Sequence, residues 1–407
     1  MPDVGLLGLP YHHFGPRWMT PHHVLTRLAS YFRVVWLEPA HHWRNTRKVG
    51  ARRRELDELT RTLSPDFNLY LPEAWLPEIY RPAALRESLS AARVNRGWRR
   101  LEQAGCTTRV LHLWHHAFES ALDVRDYDAS LYHIDDDYSF LPEPGPMDPA
   151  ERRVIEKVDD VIVISPALME RKSGINPHMH LIPEGVDHQL YSTPVPAPAD
   201  IASIPHPRIG YTGTLKLQLD WELLRALALR HTNWSFVFVG PNQLPADRRT
   251  ITDELEKLPN VHFLGPKTVW DLAAYPQHFD VCLMPYVITG YTNNIYPLKL
   301  HEYLASGQPT VGTPIRSLLD FGHVISLARD LDEWSAAIAA GLEPAALTRE
   351  ANANRQAIAR QYDWSALIYQ IARVVCERLG PSFVDRLEAS RADATLPSPR
   401  PRSAATR

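Results

Sequence analysis

The stretch Asn294-Ile-Tyr-Pro-Leu-Lys-Leu-His-Glu302-Tyr-Leu-Ala-Ser-Gly307-Gln-Pro-Thr-Val-Gly-Thr-Pro314 decides how the chain is read. Pro297 suits the first position of a helix, where its fixed φ is favourable and its missing N–H costs nothing. Tyr296 before it is a poor side-chain cap. The amides of Leu298 and Lys299 are thus left without an obvious partner. An uncapped helix start attracts anions, and Lys299 adds a full positive charge beside it. Glu302, three residues on, shares a helix face with Lys299. A cation for phosphate and a carboxylate for hydroxyls match the diphosphate and ribose of a nucleotide-sugar. Gly307 ends the helix, and Thr310 begins a short buried strand.

Around this helix, apolar runs alternate with helical patterns. In the second half, strands are predicted at 208–211, 235–240, 261–264, 281–284, 310–312 and 324–327. Helices fall at 221–230, 248–257, 269–275 and 297–306, and later at 331–341, 347–362 and 364–378. The first half repeats the alternation, with strands at 4–9, 33–37, 68–71, 109–114, 129–134, 160–165 and 180–183. Its helices lie at 21–31, 83–104, 149–158 and 166–173. Strands separated by helices imply βαβ units and a mainly parallel sheet. Between the halves lies Ser192-Thr-Pro-Val-Pro-Ala-Pro-Ala-Asp200, a proline-rich linker. The expected organisation is α/β. A Rossmann-like domain at 1–190 and a linker at 191–206 precede a second Rossmann-like domain at 207–345. Helices at 346–379 brace the domains, and a disordered Ser/Pro/Arg/Ala-rich tail occupies 380–407. The two domains would face a central cleft between their carboxyl ends.

The chain has 407 residues, 44% of them apolar, and a net charge of −3. That is the balance of a soluble globular protein and does not call for a nucleic-acid partner. Only seven of its 44 cationic side chains are lysines. This singles out Lys216 and Lys299, both in candidate phosphate loops. Cys106, Cys282 and Cys376 are scattered and lack metal spacing, which points to a reducing cytoplasm. The start of the chain has no signal pattern, and no apolar run approaches the length of a bilayer.

Several other motifs carry chemistry. In Tyr211-Thr-Gly-Thr-Leu-Lys216 a strand runs into a glycine turn that would let backbone approach a phosphate at Gly213. It is not the full dinucleotide fingerprint, so a nicotinamide enzyme is disfavoured. His115 and His116 follow one first-domain strand at its carboxyl end, where α/β sites sit, and His12, His13 and Gly15 follow another. Asp135-Asp-Asp137 invites a metal reading, but lies far from the donor motifs and reads better as a turn or a hydroxyl contact. Arg44, Arg47, Lys48, Arg52, Arg53 and Arg54 form one basic cluster. Arg93, Arg96, Arg99 and Arg100 form another. With Trp43 and Trp98, they suggest a surface for anionic lipid headgroups.

With these residues in place, the chain resembles the GT-B nucleotide-sugar glycosyltransferases, and most of all the retaining glycosyltransferase family 4. The resemblance rests on Pro297-Leu-Lys-Leu-His-Glu-Tyr-Leu-Ala-Ser-Gly-Gln-Pro309, Asn260-Val-His-Phe-Leu-Gly265, Ile182-Pro-Glu-Gly-Val-Asp187 and Asp160-Val-Ile-Val-Ile-Ser-Pro-Ala-Leu168. It implies transfer of a sugar from a nucleoside-diphosphate donor to a glycan or lipid-linked glycan, in cell-envelope or exopolysaccharide synthesis. Donor contacts would come from Gly213, Lys216, Gly265, Leu298, Lys299 and Glu302. His12, His13 and Gly15 would contact acceptor, and His115 or His116 would face the sugar. Asn294 stands where the family has its first glutamate. An amide can hydrogen-bond sugar hydroxyls but brings no charge to the reacting carbon. No metal or other cofactor is expected, and the place is the cytoplasm or the inner face of the membrane. Two alternatives share this fold: a nucleotide-sugar hydrolase or epimerase, and a non-catalytic nucleotide-sugar binder.

Overall fold

The computed structural model describes residues 1–138 and 145–391. They form two compact units, one of residues 1–138, 145–182 and 365–391, the other Pro183–Trp364. Among the described residues, the first unit has seven parallel strands. These are β1 (Val4–Leu9), β2 (Arg33–Leu37), β3 (Phe67–Tyr70), β4 (Thr108–Leu113), β5 (Ala129–Ile134), β6 (Asp160–Val163) and β7 (Met179–Leu181). Their order is β3-β2-β1-β4-β5-β6-β7. β1 and β5 are buried along their whole length, as befits strands covered on both faces. The second unit has six: β8 (Arg208–Thr212), β9 (Ser235–Val239), β10 (Val261–Phe263), β11 (Val281–Met284), β12 (Thr310–Gly312) and β13 (Ser326–Leu327). Their order is β10-β9-β8-β11-β12-β13, again parallel. In each sheet the first strand lies between the second and the fourth. The order therefore reverses between β1 and β4, and between β8 and β11, which opens a crevice at the carboxyl ends of those pairs.

The cores are built from large side chains closed off from water. Trp36, Trp98, Trp114 and Tyr132 fill the first, and Tyr211, Tyr303, Phe236 and Trp334 the second. Each apolar side chain of the size of Phe236 contributes about 1.5–3 kcal/mol by leaving water. No described helix is long and apolar enough to cross a membrane.

Four expectations change. The chain passes between units at Ile182–Pro183, and the proline-rich stretch lies inside the second unit. Its backbone is pinned there: Gln277 Nε2 donates to the Thr193 carbonyl (2.9 Å), and the His278 ring pairs with the Val195 carbonyl (3.0 Å). The helices expected to brace the domains divide between them: Arg349–Arg360 belongs to the second unit, while Trp364–Leu379 lies in the first from Ser365 on. There Arg378 bonds Asp160 at 2.9 Å. The tail expected from residue 380 is ordered as the helix Pro381–Arg391, which buries Leu387 and pairs Arg386 with Asp3; 392–407 lie outside the described residues. Finally, Trp98 is fully buried, and Arg93 is buried in an ion pair with Glu78 at 2.7 Å. Arg52 bonds Glu38 (2.7 Å) and Glu55 (2.9 Å). These three serve the fold, because a guanidinium leaving water must take a carboxylate with it.

Candidate functional site

In the second unit Gly213 and Lys299 meet past the carboxyl end of β8, at the β8/β11 switch point. Past the end of β8, Gly213 takes φ +122° and donates its N–H to the Val239 carbonyl at 2.8 Å. Gly240, in the turn after β9, has φ +154°, and a Cβ there would strike the Gly213 carbonyl oxygen. The two turns thus lie backbone against backbone, which only glycine permits at both places. A Cβ on Gly213 would stand 2.6 Å from Lys299 Nζ, so the ammonium rests directly on this turn. It also lies 5.3 Å from the centroid of the buried Tyr211 ring.

The helix that carries Lys299 runs Lys299–Ser306 and has no side-chain cap; Gly307 closes it in the left-handed conformation at φ +81°. Leu300 N donates to the Pro297 carbonyl and Glu302 N to that of Leu298. The amides of Leu298 and Lys299 make no backbone hydrogen bond among the described residues. The helix is fixed in place by Tyr303, whose hydroxyl accepts from Thr212 N at 2.8 Å. His301 is fully buried, bonds the Tyr296 hydroxyl (2.9 Å) and stacks on Tyr362 (3.9 Å). Burial holds its pKa down to about 3, so the ring is neutral. One turn from Lys299, burial pushes the Glu302 carboxyl above its ordinary pKa, opposed by the Lys299 charge and the Tyr191 hydroxyl. A desolvated carboxylate and an ammonium on adjacent turns make a site with one cationic end and one acceptor end.

Lys216 lies in a loop tied down by Leu215 N donating to the Pro241 carbonyl (3.0 Å) and by Trp221 Nε1 donating to the Lys216 carbonyl (3.1 Å). Gly265, at φ +68°, follows β10, two strands away at the same sheet end. Asn294 ends the short helix Gly290–Asn294 in the connection after β11, so it shares the switch point with Gly213. Thr289 and Thr292 cap that helix reciprocally.

In the first unit the equivalent crevice gathers His12, His115 and His116. Tyr11 stacks on His115 at 4.3 Å, His115 on His116 at 4.2 Å, and Tyr138 meets His115 edge-on at 4.4 Å. His115 Nδ1 accepts from Ala117 N at 3.0 Å, which leaves Nε2 to carry the proton. Burial, helped by the nearby His116 and His12, lowers its pKa to about 4. It is therefore a neutral hydrogen-bond donor at pH 7. His12 is likewise lowered by burial, with Asp136 opposing. His116 lies 3.6 Å from Asp148. His13 points elsewhere: its Nδ1 meets Glu38 at 2.9 Å. The buried Glu38 also accepts from Phe14 N, Trp36 Nε1 and Arg52, and so fixes the loop that bears Gly15. The three aspartates part company, Asp135 accepting from the Tyr138 hydroxyl (2.7 Å) and Asp137 pairing with Arg171 (3.1 Å). Burial raises the Asp135 pKa to about 7. Among the described residues no group of His, Cys, Asp and Glu is arranged to hold a metal ion.

Sequence reasoning missed Tyr11, Tyr138, Tyr191, Tyr303, Gly240 and Glu38. Glu38 carried a signal, as a lone acid directly after a buried strand. The tyrosines did not: Tyr303 reads as core, and its partner Thr212, like the His115 ring that stacks on Tyr11, comes from a distant segment.

Residues 206–343 match the family described as Glycosyl transferases group 1. The "Putative teichuronic acid biosynthesis glycosyltransferase TuaH" of Bacillus subtilis (strain 168) is 33% identical over 176 residues, 41% of this chain and 43% of that protein. The match thus spans less than half the length of that curated relative. Sucrose-phosphate synthase from Thermosynechococcus elongatus superimposes with a TM-score of 0.67 at 18% identity, covering 91% of this chain and 98% of that one. A structure described as trehalose-6-phosphate from E. coli bound with UDP-2-fluoro glucose gives 0.63 at 12% identity, covering 92% and 99%. The chain has the GT-B fold, and residues 206–343 of its second unit match the Glycosyl transferases group 1 family.

Proposed function

We propose that the protein is a glycosyltransferase that moves a sugar from a nucleoside-diphosphate donor to a hydroxyl of a glycan or lipid-linked glycan in cell-envelope polysaccharide synthesis. The observation that carries this reading is the seating of Lys299 on the Gly213 turn with Glu302 one helical turn away. In the reading, the free amides of Leu298 and Lys299 and the Lys299 ammonium hold the diphosphate, with Lys216 adding charge, and no metal is required. They oppose the charge that grows on the leaving phosphate as the anomeric bond breaks. Glu302 accepts from the ribose hydroxyls. His12 and His115 in the first unit hold acceptor or sugar hydroxyls, and Asn294 hydrogen-bonds the donor sugar. Since Asn294 brings no carboxylate, the retaining course suggested by the family resemblance is front-face attack. The acceptor oxygen bonds the anomeric carbon as the phosphate departs, and the acceptor proton passes to that phosphate oxygen.

A thermal-shift screen with uridine, guanosine, adenosine and thymidine diphosphate glucose tests the reading. One base class raises the melting temperature, and Glu302→Ala abolishes the rise. Absence of a shift with all four would overturn the donor site. Free sugar released without acceptor would make the protein a hydrolase, and an inverted anomeric centre would refute the retaining course.

A further inference from the structure

One surface of the first unit is unused by the transfer reaction. Between Glu38 and Glu55 the sequence holds no acid and six cations, in a chain whose net charge is −3. Arg52 is consumed by its carboxylates. Arg47, Lys48, Arg53 and Arg54 are exposed and enter no ion pair among the described residues. Beside them Trp43 is 53% exposed and Tyr80 69%. These rings come from distant segments that are fastened together. Trp43 N donates to the Glu78 carbonyl (3.1 Å), Glu78 N donates to the His41 carbonyl (2.8 Å), and the His42 ring stacks on Tyr80 at 5.5 Å. Arg93 locks Glu78 from beneath at 2.7 Å.

Two large rings held rigidly in water, each with a polar edge, have the character of side chains that settle at the headgroup boundary of a bilayer. Cations beside them add attraction to anionic headgroups. We propose that this face docks the protein on an anionic membrane surface, with Trp43 and Tyr80 entering the headgroup layer and the Arg47–Lys48–Arg53–Arg54 group meeting lipid phosphates. The inference stands apart from the transfer reaction, and its partner is the bilayer itself.

The test is sedimentation of the full chain with vesicles of equimolar phosphatidylglycerol and phosphatidylcholine, and with phosphatidylcholine alone. The anionic vesicles carry the protein down and the neutral ones do not, and added salt weakens the binding. R47E/K48E lowers partitioning about 25-fold or more, as expected from about fivefold for each cation lost. W43A/Y80A also lowers it. All four side chains are exposed, so circular dichroism and donor-induced thermal shifts stay as in the wild type, which separates this test from that of the donor site. The proposal is overturned if anionic vesicles fail to bind the wild type, or if both variants bind as it does. It is equally overturned if a DNA duplex binds more tightly than the vesicles and R47E/K48E abolishes that binding.

Discussion

Replacing Gly213 by alanine tests the donor site where backbone and charge meet. The new methyl would occupy the space of Lys299 Nζ, 2.6 Å from its position, and must push a flexible side chain aside. The backbone must also hold φ +122° with a Cβ present, which costs about 1–3 kcal/mol. For a unit of this size that is a loss of roughly 2–12 °C in melting temperature, so the protein still folds. The functional loss is separate. A charge-assisted contact to a phosphate is worth about 1.5–3 kcal/mol, so displacing the ammonium weakens donor binding by about 10- to 150-fold. Isothermal titration of the donor found by the thermal-shift screen reads this directly. The mechanism is checked by a cycle with Lys299→Met. If Gly213→Ala acts through the lysine, it has little further effect once the lysine is gone. Undiminished donor affinity in Gly213→Ala would refute the placement of Lys299 at the diphosphate. Full additivity in the cycle would show that the methyl acts on the turn alone.

Two other perturbations follow from the same geometry. Burial holds His22 and His112 at a pKa of about 3 and His23 and His133 well below the ordinary value, all four in the first unit. Above about pH 6.5 these rings are neutral both folded and unfolded; below it only the unfolded chain takes up the protons, so stability falls by up to about 1.4 kcal/mol per histidine per pH unit. Asp135, raised to about 7, opposes this with a single group. Urea denaturation at pH 7 and pH 5 should therefore show the first unit losing about 5 kcal/mol, more than the second, which has His301 alone among these deeply lowered rings of the described residues; equal midpoints at the two pH values would contradict the histidine account. Tyr303→Phe leaves the buried Thr212 amide without its acceptor, at a cost of about 1–3 kcal/mol. Because the same bond holds the Lys299 helix against β8, donor affinity should fall as well, and a variant as stable and as tight as the wild type would rule out that anchoring.

The alternation of strands and helices was legible because buried parallel strands are continuous apolar runs, and Val4–Leu9 and Ser235–Val239 are unmistakable in that respect. The helix at Lys299–Ser306 was legible from its ends, where Pro297 and Gly307 allow little else. What stayed hidden depends on contacts between distant segments. Nothing local distinguishes Arg52 and Arg93, which are held inside by carboxylates, from Arg53 and Arg54, which are in water. The proline-rich stretch looked like a linker because prolines often mark one, yet side chains from Gln277 and His278 fasten it to the second unit. The return of the chain to the first unit at Ser365 is likewise a matter of tertiary pairing. Val186 N bonds the Tyr362 carbonyl and Trp364 N the Val186 carbonyl, so the two crossing points run side by side. Asp363 adds a bond to His188 N at 3.0 Å.

The two units share one topological plan, and their different chemistry comes from the side chains placed on it. In both sheets the third, second, first and fourth strands lie in that order, so in both the loops after the first and fourth strands diverge around a crevice. In the second unit the loop after β8 supplies Gly213, the loop after β9 backs it with Gly240, and the helix before β12 sets Lys299 against them. The result is a backbone-lined, cationic pocket, suited to an anion that must be approached closely. In the first unit the same loops supply Tyr11, His12, His115 and His116, with Asp135 and Tyr138 from the loop after β5. These are stacked rings, with His12 and His115 held neutral by burial, suited to uncharged hydroxyls and the faces of sugar rings. A diphosphate placed in the first crevice would find no cation among these residues. A bare sugar placed in the second would leave Lys299 without an anion beyond Glu302. In the proposed reading, the division of labour between donor and acceptor is set by which side chains line equivalent crevices, and exchanging Lys299 for a neutral residue removes the distinction at its most charged point.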